Sequence, residues 1–137
     1  MYIIIVGCGR VGANLVSKLS EEGHNVVVID RDKDSFSQLG SGSNCMTITG
    51  MPMDEDVLKE AGIEEADALA AVTTDDNMNI MVSQIARQLY HVPMVITQTT
   101  DPEKQRVFTS MGLKTICPTT LTVDAFFCAL KEGETEK

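Results

Sequence analysis

The chain has 137 residues, of which 43% are hydrophobic, 23% charged and only 4% aromatic, and its formal net charge is −9 at pH 7. This length suits one domain with one sizeable core. The acidic balance argues against nucleic acid or an anionic membrane surface as the main partner, because both require a basic surface. The four cysteines form no CxxC motif and have no histidine at a metal-ligand spacing, which favours reduced thiols in a cytoplasmic protein and predicts no metal site.

Short apolar runs of strand length alternate with helical stripes along the whole chain. The runs are continuous and mostly β-branched, which is typical of strands buried on both faces of a parallel sheet. Between them, apolar residues recur at helical spacing, as at Leu15, Val16 and Leu19. Right-handed crossovers then predict an α/β fold, a Rossmann-type doubly wound sheet in the order 3-2-1-4-5-6 with helices on both faces. The six predicted strands are residues 2–6, 26–29, 46–48, 68–72, 94–96 and 114–117.

The stretch "VGCGRVG" at residues 6–12 has the G-x-G-x-x-G pattern between the first strand and the first helix. In this pattern Gly7 permits the tight turn, Gly9 leaves room for a phosphate, and Gly12 lets the helix pack closely on the strand. The N–H groups at the start of the helix then face an anion, with the helix dipole in their favour. We therefore assign the whole turn to a bound nucleotide: Gly7, Cys8, Gly9, Arg10, Val11 and Gly12.

An acidic residue follows the second strand, where a ribose would lie. Asp30 ends "NVVVID", 18 residues beyond Gly12, and its carboxylate can accept hydrogen bonds from the adenosine ribose hydroxyls. It would also repel a 2′-phosphate, which favours NAD(H) or an adenine nucleotide over NADP(H), although Arg31 could offset that repulsion. Alternatively, Asp30 caps the second helix, a role that Asp32 could also fill.

Two further strand ends are expected to line the same crevice, because ligands bind beyond the carboxyl ends of parallel strands. After the third strand, the methionines could flank an adenine or could simply belong to a turn and the core. After the fourth, the threonines could donate to phosphate or ribose, while Asp75 or Asp76 caps the next helix and Asn79 bonds back across the loop. The candidates are Gly50, Met51 and Met53, then Thr73, Thr74 and Asn79.

No catalytic arrangement is visible in this sequence. A dehydrogenase needs a substrate pocket and an acid–base group, usually from a second domain, and the chain has no residues left for one. We therefore predict that the protein is not an enzyme. Two alternatives remain open: an NAD-dependent oxidoreductase fragment, or a redox sensor that uses Cys8, whose position at a helix N-terminus would lower its thiol pKa.

Four stretches make the chain resemble the TrkA-N domain family, also called RCK or KTN domains, over about residues 2–130. They are "IIIVGCGRVGANLV", "NVVVIDRD", "DEDVLKEAGIEEADALAAVTTDDNMN" and "DPEKQRVFTSMGLKTICP". The resemblance implies that the three glycines hold the phosphates, that Asp30 holds the ribose and that loop 73–79 closes the site. Two positions depart from the family: Met51 replaces an aspartate after Gly50, and Gln98 replaces an arginine in the fifth strand.

The resemblance also implies a function. It predicts a cytoplasmic regulatory subunit that binds NAD(H), ATP, ADP or AMP and gates potassium transport by changing conformation. Its expected partners are a membrane-embedded potassium transporter or channel subunit, which would place it at the inner face of the membrane, and further copies of itself in a dimer or larger ring. The family's usual C-terminal lobe is missing, so a separate chain could supply it.

The last predicted helix carries more apolar surface than its own domain is expected to cover. We divide the chain into a nucleotide-binding domain at 1–118, this helix at 119–131 and a frayed tail at 132–137. One face of the helix should pack on the domain's own sheet and the other should cross to a second subunit, as in RCK dimers. The alternative is one wide face wrapped on the same domain. The two stripes are Val123, Phe126, Phe127 and Leu130, and Leu121, Ala125 and Cys128.

Overall fold

The computed structural model describes residues 1–40 and 44–135. Within them lies one six-stranded sheet in the order β3-β2-β1-β4-β5-β6, and every neighbouring pair of strands is parallel. The predicted Rossmann-type topology is therefore confirmed. The strands are β1 (Tyr2–Val6), β2 (Asn25–Asp30), β3 (Cys45–Thr49), β4 (Ala68–Ala71), β5 (Met94–Gln98) and β6 (Lys114–Ile116).

Within residues 1–40 and 44–135, five α-helices accompany the sheet, and aspartate residues cap three of them. Asp54, Asp75 and Asp101 each accept a hydrogen bond from a backbone N–H of the turn that follows, and Pro102 begins its helix directly after Asp101. This chemistry explains where these helices begin. The helices are α1 (Arg10–Glu21), α2 (Glu55–Glu60), α3 (Asp76–Gln84, continued by a π-helical turn at Ile85–Leu89), α4 (Pro102–Ser110) and α5 (Pro118–Thr135).

The connection between β2 and β3 contains a 3₁₀ helix (Lys33–Gln38) in the described residues. Asp32 caps it, because its side chain accepts from the backbone N–H of Asp34 at 3.0 Å. Of the two candidates for this cap, Asp32 therefore fills the role, and the Asp30 carboxylate bonds elsewhere. A second 3₁₀ turn (Ile63–Glu65) precedes β4.

The core lies on both faces of the sheet, as the continuous apolar runs predict. Successive residues of β1 alternate between two clusters, with Ile3 and Ile5 on one side and Ile4 and Val6 on the other. The larger cluster includes Leu58 and the facing side chains of α3, while the smaller lies against α1. Because β1 is buried on both faces, the turn that follows it begins at a fixed position in the middle of the sheet.

Helix α5 differs from both expectations for it. Residues 121–134 are exposed on every side, with Phe126 67% and Leu130 71% exposed, so neither apolar stripe packs on the sheet of this chain. The physical reason is that α1, α3 and α4 already lie against the strands, and α5 is tied to them at its first turn, where Thr119 Oγ1 donates to the Thr100 carbonyl at 3.1 Å. The alternative of one face wrapped on the same domain is also wrong.

The boundaries of α5 differ from the prediction too. The helix continues through residue 135, so 132–135 are helical rather than a frayed tail, and residues 136 and 137 lie outside the described part of the chain. Among residues 1–40 and 44–135, none of the helices combines the length and apolarity that crossing a bilayer requires.

Candidate functional site

A cleft of about 330 Å³ opens beyond the carboxyl ends of β1, β2 and β4. It lies where the strand order reverses, because β1 pairs with β2 on one side and with β4 on the other. Ligands of doubly wound sheets bind at this point. Six of the residues predicted for the site line the cleft: Gly7, Gly9, Asp30, Arg31, Thr73 and Thr74.

Steric contacts explain why glycine occupies Gly7 and Gly12 in the turn, as the sequence predicts. Gly7 has φ of +108°, and a Cβ added there would lie 2.9 Å from the backbone nitrogen of Thr73. A Cβ on Gly12 would lie 1.9 Å from the carbonyl oxygen of Gly7. A Cβ on Gly9 would meet nothing within 4 Å, so this position is open to an approaching group.

The carboxylate of Asp30 is hydrogen-bonded to the backbone of the glycine turn. Its Oδ2 accepts from the backbone N–H of Cys8 at 2.8 Å, and its Oδ1 accepts from the N–H of Asp32 at 2.8 Å. The carbonyl oxygen of Cys8 accepts a hydrogen bond from Gln38 Nε2 at 3.2 Å. The backbone N–H and the backbone carbonyl of Cys8 are therefore both held by side chains. The sequence carries no signal for Gln38, because only the folded path of the 3₁₀ helix brings it to the turn.

The environment of Cys8 does not suit the alternative of a reactive thiol. Its side chain is fully buried in the smaller core cluster. Burial, then the charge of Asp30, then Cys45 raise the pKa of the Cys8 thiol to about 11. The lower thiol pKa that the redox-sensor alternative requires is therefore not found, because the thiol points into the core, where a thiolate is disfavoured.

The raised pKa of Cys8 predicts a pH dependence of stability. At pH below the ordinary thiol value of 9.0, the folded and unfolded chains both keep the proton. As the pH rises towards about 11, the unfolded chain ionises first, so the free energy of unfolding falls. Urea unfolding should show a larger loss for the wild type than for Cys8→Ala in this window, since other groups titrate in both proteins. Parallel losses would contradict a protonated buried thiol.

Several predicted residues lie away from the cleft wall. Arg10 and Val11 are exposed on the first turn of α1, and Gly12 lies behind the turn. Pro52 lines the cleft where Met51 was expected, because the turn after β3 directs Met51 towards solvent, 42% exposed. The residues outside the lining are Cys8, Arg10, Val11, Gly12, Gly50, Met51 and Asn79, and Met53 packs against the larger core cluster.

Asn79 supports the loop after β4 from within, as predicted. Its Oδ1 accepts from the backbone N–H of Thr73 at 3.0 Å and from the Thr73 hydroxyl at 2.6 Å. Its Nδ2 donates to the carbonyls of Thr73 at 2.9 Å and Gln98 at 3.0 Å. Asn79 is fully buried, so these bonds satisfy a polar group that would otherwise be costly to bury. Asp75, rather than Asp76, caps α3.

Asp76 instead joins α3 to the turn between β5 and α4. Its carboxylate accepts from the Thr99 hydroxyl at 3.0 Å, and from the backbone N–H and hydroxyl of Thr100 at 3.1 Å each. Lys104 Nζ lies 3.7 Å from the same carboxylate. Because the Thr100 carbonyl accepts from Thr119, these bonds form a path from the cleft loop to the first turn of α5. Nothing in the sequence distinguishes Asp76 from the neighbouring cap for this role.

The described residues hold no group of three histidine, cysteine, aspartate or glutamate side chains that could bind a metal ion. The strand order, the cleft at the switch point and the glycine turn define a Rossmann-type domain of the nucleotide-binding class. A sequence profile of the TrkA-N domain matches residues 3–118, and the chain belongs to this family.

Similar proteins agree with this membership. The chain is 44% identical over 124 residues to the Trk system potassium uptake protein TrkA of Streptomyces coelicolor, which covers 90% of this chain and 56% of that protein. It spans about half the length of the first curated relatives that it matches.

Solved structures share the fold. The Shewanella denitrificans Kef CTD in AMP bound form has a TM-score of 0.79 at 19% identity, covering 96% of this chain and 80% of that chain. The GsuK channel bound to NAD has a TM-score of 0.71 at 23% identity, covering 85% of this chain and 21% of that chain.

Proposed function

We propose that this chain is the nucleotide-binding regulatory domain of a potassium uptake system, and that its cleft binds NAD(H) or an adenine nucleotide. The observation that carries the proposal is the cleft itself, where Asp30 and the open Gly9 lie at the switch point of the sheet. Family membership adds the transport context, since the relative at 44% identity is a potassium uptake protein. The bound AMP and NAD of the two solved structures favour an adenosine ligand here.

Each part of the cleft supports one part of such a ligand. The open space at Gly9 and the N–H groups at the start of α1 suit the phosphates. Asp30 suits the ribose hydroxyls, and the loop at Thr73 and Thr74 suits the remainder of the molecule. The turn residues behind this surface, including Cys8 and Gly12, keep it in shape.

The lining favours binding without catalysis. Aspartates, an arginine, a serine and threonines supply its polar side chains, while the described lining has no histidine, cysteine, tyrosine or lysine. Hydride transfer to a substrate needs a placed acid–base group beside the nicotinamide, and histidine is the commonest choice. With Cys8 buried and its thiol protonated, the redox-sensor alternative is disfavoured as well. Turnover of NADH by the purified protein would contradict this part of the proposal.

Helix α5 suits assembly with a second copy of the chain. Its two apolar stripes are both exposed, and large exposed apolar surfaces mark interaction sites. The hydrogen bonds through Asn79, Asp76 and Thr119 connect the cleft loop with this helix. A ligand that moves Thr73 would therefore bias the geometry of the assembly, and through it a membrane-embedded potassium transporter.

A thermal-shift titration with NAD⁺, NADH, ATP, ADP, AMP and NADPH tests the ligand proposal. Binding stabilises the folded chain by mass action, so a ligand at one hundred times its Kd contributes about 2.7 kcal/mol. We expect adenosine ligands to raise the unfolding temperature and NADPH to do so least. No shift with any nucleotide would contradict the proposed function.

Replacing Asp30 by alanine should weaken every adenosine ligand by about 10- to 100-fold. The reason is the loss of charge-assisted hydrogen bonds to the ribose, each worth about 1.5–3 kcal/mol. Isothermal titration calorimetry measures the affinities, and Asp56→Ala, at an exposed position in α2, is the control. In cells that lack this protein, potassium uptake should recover with wild type and not with Asp30→Ala. Unchanged affinity would show that Asp30 does not hold the ribose.

A further inference from the structure

The cleft carries an uneven set of charges. Three carboxylates, those of Asp30, Asp32 and Asp75, belong to its lining, together with one cation, Arg31. Arg10 lies nearby at the first position of α1 but is exposed and outside the lining. This imbalance matters because nucleotides differ mainly in how much negative charge they bring and in where it lies along the molecule.

The carboxylates lie on the two sides of the switch point. Asp30 and Asp32 follow β2, whereas Asp75 belongs to the loop after β4. Asp75 is fixed there because its Oδ1 accepts from the backbone N–H groups of Asn77 at 3.0 Å and Met78 at 3.2 Å. Because Asp75 belongs to the cleft lining, a nucleotide that placed its adenosine at Asp30 and extended past the glycine turn would bring its distal half to Asp75.

The distal half is also where these nucleotides differ most. In ATP it is the terminal phosphates, which carry the greatest negative charge and would face a carboxylate. In NAD⁺ it is the nicotinamide riboside, whose ring is positively charged, and in NADH the same ring is neutral. AMP has no distal half. Like charges at close range disfavour binding and opposite charges favour it, most strongly in a partly enclosed cleft.

We propose that Asp75 selects the ligand by charge, so that this site takes NAD⁺ in preference to NADH and rejects free ATP. This inference rests on the proposed function, because it concerns the same cleft. Asp75 then has two roles, as the cap of α3 and as the residue that recognises the distal half of the ligand. The carboxylates of Asp30 and Asp32, on the other side of the turn, act on all adenosine ligands alike.

The test compares Kd values for NAD⁺, NADH, AMP and ATP by isothermal titration calorimetry, without magnesium and at low ionic strength. We expect wild type to bind NAD⁺ at least about ten-fold more tightly than ATP, with NADH between them. In Asp75→Asn the ratio of the Kd for ATP to the Kd for NAD⁺ should fall about three- to ten-fold below its wild-type value. The Kd for AMP should stay within about three-fold of the wild-type value. High salt should lower the same ratio of Kd values in the wild type, because salt screens exposed charges.

Two controls keep the result interpretable. Asparagine is as good an N-cap as aspartate, so Asp75→Asn should start α3 normally, and its urea unfolding curve checks this. Asp56→Asn removes the same charge from an exposed position in α2 and should leave the ratio unchanged. ATP binding as tight as NAD⁺, or a ratio that Asp75→Asn does not alter, overturns the inference and leaves the proposed function standing. Failure of all four nucleotides to bind overturns both.

Discussion

Replacing Gly12 by alanine should lower the free energy of unfolding by about 2 kcal/mol or more and abolish nucleotide binding. The added Cβ would lie 1.9 Å from the Gly7 carbonyl oxygen, a distance that real Cβ atoms do not show. The position of a Cβ is fixed by the backbone of its own residue, and the oxygen belongs to the backbone of Gly7, so a rotamer change cannot relieve the contact. Helix α1 must instead move away from the turn, which also moves the N–H groups proposed to face the phosphates.

The matched control is Gly133→Ala in α5. Both glycines are helical, but a Cβ on Gly133 meets nothing within 4 Å. Alanine is a better helix former than glycine by about 0.8–1 kcal/mol, so this variant should be as stable as the wild type or more so. Urea unfolding followed by circular dichroism gives both values. If Gly12→Ala were as stable as Gly133→Ala, the close packing of α1 on the turn would be contradicted.

Two charged substitutions on α5 should convert the assembled protein into monomers. Phe126 and Leu130 share a stripe and are mostly exposed in the isolated chain. Burying each against a second copy would contribute about 1.5–3 kcal/mol, so replacing both by aspartate should weaken self-association at least about 100-fold. Light scattering at micromolar concentration should show a dimer or larger assembly for the wild type and a monomer for the double variant.

Thr122→Asp adds one negative charge to the same helix at a position that belongs to neither apolar stripe, so this variant should remain assembled. The double variant should keep its far-ultraviolet circular dichroism, because α5 joins the domain through its first turn. A wild-type protein that is monomeric at micromolar concentration would refute the proposal that a second copy covers α5.

The sheet and the glycine turn could be predicted because each depends on local, strongly patterned sequence. A continuous, mostly β-branched apolar run such as 2–6 is typical of a strand buried on both faces. The positive φ of Gly7 and the close approach of Gly12 to the Gly7 carbonyl are steric limits that arise within the turn itself. The same holds for the back-bonding of Asn79, since a short loop leaves it few partners.

What could not be predicted depends on side-chain direction and on distant contacts. The sequence places Cys8 in the turn, but only the fold shows that its thiol points into the core. The sequence does not show whether Met51 or Pro52 lines the cleft, because this depends on which of two neighbouring residues the turn directs inward. The sequence indicates that α5 has more apolar surface than its own domain can cover, but it does not predict that both stripes are exposed, since each would look the same whether its own chain or another covered it.

The close approach of the glycine turn to the Thr73 loop has a kinetic consequence. At Gly7 the space between the two segments is too small for a Cβ, and each segment is held by a buried or partly buried side chain, Asp30 on one side and Asn79 on the other. An arriving nucleotide therefore has little chain to order before it binds, which favours fast association. Differences in the dissociation rate, rather than in the association rate, would then decide which nucleotide occupies the cleft.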